Sequence, residues 1–536
     1  MENQRLFLYI ALAAVLFLIV QAWQRDHKPV SGLSGRAVPT VPAVASATPR
    51  VVAPPAAQRT KPGTTITVTT DVLSARLNTR GADLRHLVLR RYLRKVGHRA
   101  HYRLFGAAHH PLFFTESGLI GNGHYPTHRS LYSTRQTSYR LAPGQDTLQV
   151  RFHWAGADGL RVTKTYTFTR GSYLIRVAYH IVNRGTKPRS LYLYAQFLRT
   201  PPPKPGRLHS APIYLGGAFY TPTTKYRKIT FSDMAHHNLD RRTSSGWVAM
   251  SQHYFVGAWV PSSGPVEFYS QYLAGNRYVL GYKTLHALTL SPGAAGTLRA
   301  RLFAGPKKPS LLNQVAPGLG LTVDYGWLTV LAVPLYWVLA HIERWVGNWG
   351  FAIVLLTAAI KLAFFPLSSA SYRSMAKMRR LQPRLEAIKE RHGNDRQRVQ
   401  QAMIELYRTE KLNPLGGCLP MVVQIPVFIA LYWVLLESVD LRQAPFIFWI
   451  HDLSAPDPYF VLPILMGLTM AAQQLLNPTL NMDPLQRKIM LVLPLVFTVF
   501  FLFFPAGLVL YWVVSNLLSI LQQWWITRLE APPTRS

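Results

Sequence analysis

The amino-acid sequence predicts a polytopic α-helical membrane protein that carries a large all-β sandwich domain outside the bilayer. Three observations carry this expectation. Long apolar runs crowd the two ends of the 536-residue chain and leave a long polar block between them. Within that block, apolar and polar residues alternate over short segments, the period of a half-buried strand. Between the C-terminal apolar runs, basic residues gather in every second loop, the asymmetry that orients a multi-span protein.

The first apolar run extends from Leu6 to Val20, with Arg5 before it and Gln21, Trp23 and Arg25 after it. No A-x-A cleavage site follows, so residues 1–24 are expected to stay as an N-terminal transmembrane anchor. Residues 25–63 include VPTVPAVASATPRVVAPPAAQ, rich in Pro, Ala and Val without periodicity, and are expected to form a disordered tether.

From 64 to 318 the expectation is a β-sandwich. ThrIleThrVal at 65–68, LeuGlnValArgPheHisTrp at 148–154, TyrThrPhe at 166–168 and SerLeuTyrLeuTyr at 190–194 all alternate with period two. Asp158-Gly159 between two such runs is a hairpin-turn signal. His236-His237 and the other histidines lack metal-ligand spacing, so no metal site is expected. Cys418 is the single cysteine; it excludes an internal disulfide framework and, beside an apolar run, suits a buried structural thiol.

The net charge is +36, and residues 60–320 hold 35 Lys and Arg against 8 Asp and Glu. Nucleic acid, an anionic membrane surface and an acidic exterior would each select such a balance. No recognition motif or basic helix stands out, so no nucleic-acid partner is expected. An acidic exterior is the preferred reading and attraction to the lipid bilayer the second.

After Pro317 the membrane portion begins. Trp327 to Ala340 is apolar but short, contains Pro334 and runs into His341, Glu343 and Arg344, so 319–348 is expected to hold an interfacial helix. Five spans follow, at Trp349–Ser368, Leu415–Glu437, Tyr459–Leu476, Ile489–Phe504 and Gly507–Ile526, each near the ~20 residues that cross ~30 Å of hydrocarbon. They form a five-helix core over 349–528, six transmembrane helices with the anchor, and a tail at 529–536. Residues 369–414 carry 11 Lys and Arg, whereas 438–458 carry only Arg442. With Arg487, Lys488, Arg528 and Arg535, this places 369–414, 477–488 and the C-terminus in the cytoplasm and the β domain outside.

The loop 369–414 has helical spacing. Met375, Met378, Leu381, Leu385 and Ile388 form one stripe, and Val399, Met403 and Leu406 another, with a turn at His392-Gly393-Asn394-Asp395. The pattern describes an antiparallel helical hairpin, either two helices packed on each other or a mobile, Met-lined basic arm for hydrophobic partners or ribosomes.

Lys361 is the sharpest single feature. Counted from the expected span end at Ser368, it lies roughly 10 Å inside the hydrocarbon at ~1.5 Å per residue. A lipid-facing lysine there costs on the order of 2.5–3.5 kcal/mol, unless it snorkels to the headgroups or meets a wet cavity. Thr357 stands one turn earlier on the same face. In the last span Tyr511, Ser515, Ser519 and Gln522 make a polar stripe, flanked by Trp512, Asn516 and Gln523, while Gln424, Gln473 and Gln474 add amides. Helix–helix hydrogen bonds would satisfy a few of these groups; a hydrated groove explains them together.

AsnProLeuGlyGlyCys at 413–418, ArgGlnAlaProPhe at 442–446, TrpIleHisAspLeuSer at 449–454, LeuProIleLeuMetGly at 462–467 and GlyLeuValLeuTyrTrp at 507–512 resemble the YidC insertases, as does SerMetAlaLysMetArgArgLeuGlnPro at 374–383. The resemblance implies an insertase and chaperone of the bacterial inner membrane with a periplasmic β domain. It further implies a five-helix groove open to cytoplasm and lipid, nascent membrane proteins as clients, action alone or with the Sec translocon, and no nucleotide or other cofactor. The positive position of the family is commonly arginine and corresponds to Lys361 here. Thr357, Tyr511 and Trp512 match positions of client contact, with Trp512 where a tyrosine is common.

A secondary transporter is the rival from another class, but no internal repeat accompanies Pro420, Pro426, Pro463 and Pro494. An intramembrane protease is a second rival. H-E-x-x-H, G-x-S-x-G and a phosphate-binding G-x-x-x-x-G-K-[ST] loop are all missing, so no enzyme is expected.

Overall fold

The computed structural model describes residues 63–108, 111–203, 213–393, 395–410, 419–476 and 484–529. The expected anchor, almost the whole tether, Cys418, the Asn413–Gly417 segment and most of the tail lie outside the described residues. The chain divides into two compact units, with one boundary between Val323 and Asp324.

The first unit is a β-sandwich. One sheet has eleven strands and the other eight. The expected short strands are cores of longer ones, Thr65–Thr69, Thr147–Ala155, Leu160–Thr169 and Arg189–Arg199. Asp158-Gly159 does join two strands as an antiparallel hairpin, with Gly159 at φ 84°, a conformation that favours glycine. Alternation puts Phe152, Val162, Phe168 and Tyr179 inward, where they are almost wholly buried. Burial of such a side chain contributes about 1.5–3 kcal/mol.

The sheets are also joined by a buried polar network. Lys164, on the eight-stranded sheet, donates to the Gly81 carbonyl at 2.8 Å and the Ser117 carbonyl at 3.4 Å, and pairs with Asp83 at 3.2 Å. Tyr166 donates to the Ala82 carbonyl and Tyr179 to Ser117 Oγ. Two short helices belong to this unit, α1 (Phe231–His236) and α2 (Pro309–Val315). α1 opens on a capping box in which Thr230 and Asp233 each accept the other's backbone N–H.

The second unit is helical: α3 (Thr329–Val346), α4 (Trp349–Ala363), α5 (Phe365–Arg380), α6 (Gln382–His392), α7 (Arg396–Thr409), α8 (Leu419–Glu437), α9 (Val461–Leu476), α10 (Pro484–Phe501) and α11 (Ala506–Leu529). Gly326–Val346 and Ala506–Arg528 are long and apolar enough to cross a membrane by length and composition. The first is longer than the sequence reading of Trp327–Ala340, because His341, Glu343 and Arg344 continue the helix to Val346. Val423–Glu437, Val461–Leu476 and Lys488–Phe501 are shorter apolar helices.

Two sequence expectations need correction. The span expected at Trp349–Ser368 is not one straight helix: α4 ends at Ala363, and the chain bends by 62° before α5. The stripe Met375–Ile388 is likewise split between α5 and α6. Pro383 explains the break, since it lacks an N–H and crowds the preceding turn. Met378 therefore lies on α5, which packs against α8 and α11, while Met403 lies on α7, packed on α6. Met375 is also on α5, with its side chain outside the described residues.

α6 and α7 do form an antiparallel pair, closed by Asp395 accepting from the Gln397 and Arg398 N–H groups and by an Arg384–Glu410 pair at 2.8 Å. Leu381 and Leu385 are buried, but most side chains of the pair are exposed or half-buried. Amide hydrogen exchange across 375–410 is expected to run at least tenfold faster than across 489–526. Equal protection of the two regions would contradict a mobile arm.

Candidate functional site

α11 is the hub of the helical unit, packing against α4, α5, α8 and α9. Its near-continuous apolar sequence is long enough to cross a membrane, and its interspersed Tyr, Ser, Asn and Gln give each neighbour a polar contact. On the α4 side, Lys361 Nζ donates to Ser519 Oγ at 2.8 Å, and Ser519 donates on to its own helix at the Ser515 carbonyl. Toward α8, Gln424 Nε2 donates to the Tyr511 hydroxyl at 2.9 Å. Against α9, Asn516 Nδ2 donates to Thr469 Oγ1 at 3.2 Å. Nearer the C-terminal end, Gln522 donates to the Phe365 carbonyl at 3.4 Å and Gln523 to the Leu476 carbonyl at 3.1 Å.

The structure thus brings Lys361, Ser519, Ser515, Gln424, Tyr511, Asn516 and Gln522 onto one helix and its neighbours. The amides spend donors on partner helices, as expected where water is scarce. Lys361 differs from the rest. It is half-buried, and its one described partner is a neutral hydroxyl; no carboxylate pairs with it among the described residues. It also sits in the last turn of α4, two residues before the helix ends. Exposed carbonyls there favour a cation, typically by 0.3–1 kcal/mol. The depth counted from Ser368 therefore does not apply, because the helix ends earlier than the apolar run.

Thr357 and Trp512 play different local parts from those the spacing suggests. Thr357 is buried, and its hydroxyl returns to the Ile353 carbonyl of its own helix at 2.6 Å, a back-bond that removes it from the polar surface. Trp512 packs edge-to-face in an aromatic cluster, with ring centroids 4.6 Å from Phe428 and 4.9 Å from Phe501. Gln474, from the end of α9, donates to the Met490 carbonyl on α10 at 2.7 Å.

Sequence reasoning missed the residues that close the other end of the bundle. Asp452 accepts from Gln443 N, Ser454 N and Ser454 Oγ, and Asp457 from Trp449 Nε1, Tyr459 N and Leu462 N. The Leu453 and Ala455 carbonyls of the loop they shape accept from the Gly507 and Ala506 N–H groups, stitching it to the start of α11. Tyr336 of α3 bonds Asp440 at 2.7 Å, and Asn348 caps α4 while donating to the Phe446 carbonyl. Gly467 lets α9 approach α10, since a Cβ there would lie 2.0 Å from Thr498 Oγ1. Thr469 was missed as well, one threonine in an apolar run having no distinctive spacing. The carboxylates at the ends of apolar runs were the available signal. Among the described residues, no cluster of His, Cys, Asp or Glu is placed to hold a metal ion.

Two family models match the chain, one described as the YidC periplasmic domain over residues 65–338 and one as 60Kd inner membrane protein over 341–532. A "Membrane protein insertase YidC" of Methylobacillus flagellatus is 48% identical over 98% of this chain and 97% of its own. One of Nitrosococcus oceani is 49% identical over 98% and 99%. A crystal structure of an active YidC insertase with the first transmembrane domain resolved covers 86% of this chain and 94% of its own, at 18% identity and a TM-score of 0.39.

Proposed function

Because the chain belongs to the YidC family of membrane protein insertases, we propose that it inserts its clients by offering the Lys361 cation to acidic residues of a translocating segment, along the polar face of α11. It is an insertase of the inner membrane with a periplasmic β domain, and not an enzyme. The full-length matches are to insertases, and nothing in them favours a secondary transporter.

The observation that carries the charge reading is the half-buried Lys361 amine with a neutral serine as its described partner. An entering client carboxylate would supply the missing counter-charge, and the other N–H donors of the ammonium can bond that carboxylate while Ser519 keeps the one it accepts. Tyr511, Ser515, Asn516 and Gln424 then offer a polar track, while Trp512 and its aromatic neighbours supply the apolar wall against which a client helix slides. Thr357 acts through the packing of α4. The test is insertion of one client, with and without its acidic residues, by the Lys361→Ala variant.

The remaining assignments are part of the same reading. The clients are nascent membrane proteins, received alone or from the Sec translocon. The basic pair α6 and α7, with Met378 and Met403 nearby, lies in the cytoplasm, as does the C-terminal tail, and the pair receives clients or ribosomes there. α3 lies along the outer interface, supported by Trp327, Trp337 and Trp345, all more than half exposed. The anchor at 1–24 and the five core spans make six transmembrane helices.

The polar track and its lysine all follow residue 348, so the β domain is expected to be dispensable for insertion itself. A variant lacking most of 64–300 but keeping anchor and tether should retain at least half of the insertion activity at equal expression. Complete loss by a stably expressed truncation would refute that division of labour.

A further inference from the structure

The concentrated charge of the β domain has no part in the insertion reading above, and one surface gathers much of it. Four consecutive strands of the eight-stranded sheet, Thr147–Ala155, Leu160–Thr169, Leu174–Asn183 and Ala295–Pro306, contain no Asp or Glu. Their alternation sends Arg151, Arg161, Arg176 and Arg299 to the outward face, where all four are exposed. None of the four has a carboxylate partner among the described residues; Arg151 donates only to its neighbour Gln149. Thr163, Thr165 and Thr167 fill the strand between them, so the outward face of these strands is polar and free of acid.

The register sets the layout. Arg151 pairs with Thr165, Thr165 with Ala178, and Ala178 with Arg299, so one rung carries a guanidinium at each end, three strand spacings or about 14 Å apart. Arg176 stands on the next rung beside Thr167, and Arg161 two rungs the other way beside Val182. Along the strands the four therefore span about 20 Å. Charges spread over such distances cannot converge on one small anion. They match an extended sheet of anionic groups. The arginines of the small cleft near Asp71 differ, because Arg170 and Arg90 there are spent on backbone carbonyls.

We propose that this arginine face is a docking surface for the anionic phospholipid headgroups of the membrane that holds the protein. The lipid surface is favoured over a soluble polyanion because the last of the four strands continues, through α2, into the helices that enter the bilayer. A covalent tether keeps the headgroups at high effective concentration, so weak contacts suffice. Each basic residue near an anionic bilayer contributes roughly fivefold in partitioning. The inference rests on the membrane location of the chain but not on its insertion mechanism, and insertion assays report on the latter separately.

The test uses the full chain in lipid nanodiscs, with Thr165→Cys on a Cys418→Ser background labelled by an environment-sensitive dye at the centre of the face. Quenching by headgroup-spin-labelled lipid is measured in phosphatidylcholine discs and in discs with one-third phosphatidylglycerol. Quenching should be at least threefold stronger in the anionic discs and should vanish at high salt. Replacing Arg151, Arg161, Arg176 and Arg299 together with glutamine should abolish the difference, while replacing them with lysine should keep it, with unchanged thermal unfolding in both. Equal quenching in the two lipids, or undiminished quenching in the glutamine variant, overturns the proposal. Shielding of the dye by soluble polyglutamate but not by anionic discs would assign the face to an acidic protein and overturn it too.

Discussion

Lys361→Ala is expected to lower insertion of clients with acidic translocated segments by about tenfold or more, while Lys361→Arg keeps most of the activity. At ~4 Å, opposite charges attract by about 4 kcal/mol at an effective dielectric of 20 and about 1 kcal/mol in bulk water. Desolvation removes part of that advantage, and a net ~1.4 kcal/mol is enough for tenfold. Alanine removes the cation and leaves Ser519 still bonded to the Ser515 carbonyl, so the bundle itself should hold. Arginine restores the charge with a planar fork and donates to a carboxylate as well as lysine does. Clients whose translocated segment lacks Asp and Glu should be affected less than threefold. Measured insertion yields, one client with and without its carboxylates, separate the readings: equal, near-normal insertion of both by the alanine variant would reject charge attraction. A lysine whose work is only to reach the headgroups would give that result.

The largest stability effect is expected in the β domain, from Lys164→Met. Lys164 and Asp83 are 0% and 1% exposed and 3.2 Å apart. Burial pushes the Asp83 carboxyl from its ordinary 3.8 up to about 7, against the opposing pull of Lys164, and pushes the lysine down. Removing the cation strands a buried carboxylate, at a cost of about 3–5 kcal/mol. For a domain of this size that is a fall in Tm of roughly 6–20 °C. The sign of the pH dependence follows from Asp83. Its raised pKa means that the folded form holds the proton more tightly than the unfolded form, so ionisation destabilises as pH rises through 3.8 to 7. Without Lys164 the carboxyl is pushed higher still. The deficit of the variant relative to the parent should therefore be smallest below pH 6 and grow as pH rises past 7. Adding Asp83→Asn should recover a large part of it. A deficit independent of pH, measured by thermal unfolding at pH 5.5 and 8.5, would mean that only packing was lost.

Much of this is legible in the amino-acid sequence. Period-two alternation located the strands, because a sheet with one buried face repeats its pattern every second residue wherever it occurs, as in LeuGlnValArgPheHisTrp. The Asp158-Gly159 hairpin was legible for the same local reason. The family resemblance rested on contiguous motifs from 374 to 512, and Lys361 stood out because a charge in an apolar run is costly on its own terms. Element ends were less legible. The apolar run through Ser368 hides the end of α4 at Ala363, since hydropathy records composition and not the path of the backbone. The methionine and leucine spacing reads as one helix because a periodic stripe does not register the break that Pro383 makes in the backbone.

What the sequence determined by itself was the class of protein, its β and membrane portions and the lysine set in an apolar run, because each depends on local pattern or on the mere presence of a residue. Tertiary structure decided which polar groups meet. Asn516 found Thr469 and Lys361 found Ser519, 158 residues apart, while Thr357 turned back to its own helix and Trp512 joined the aromatic cluster. The outward arginine face depends on strand register in the same way. Helical spacing names a face, but the neighbour across that face comes from distant chain, and only close packing of the folded unit selects it.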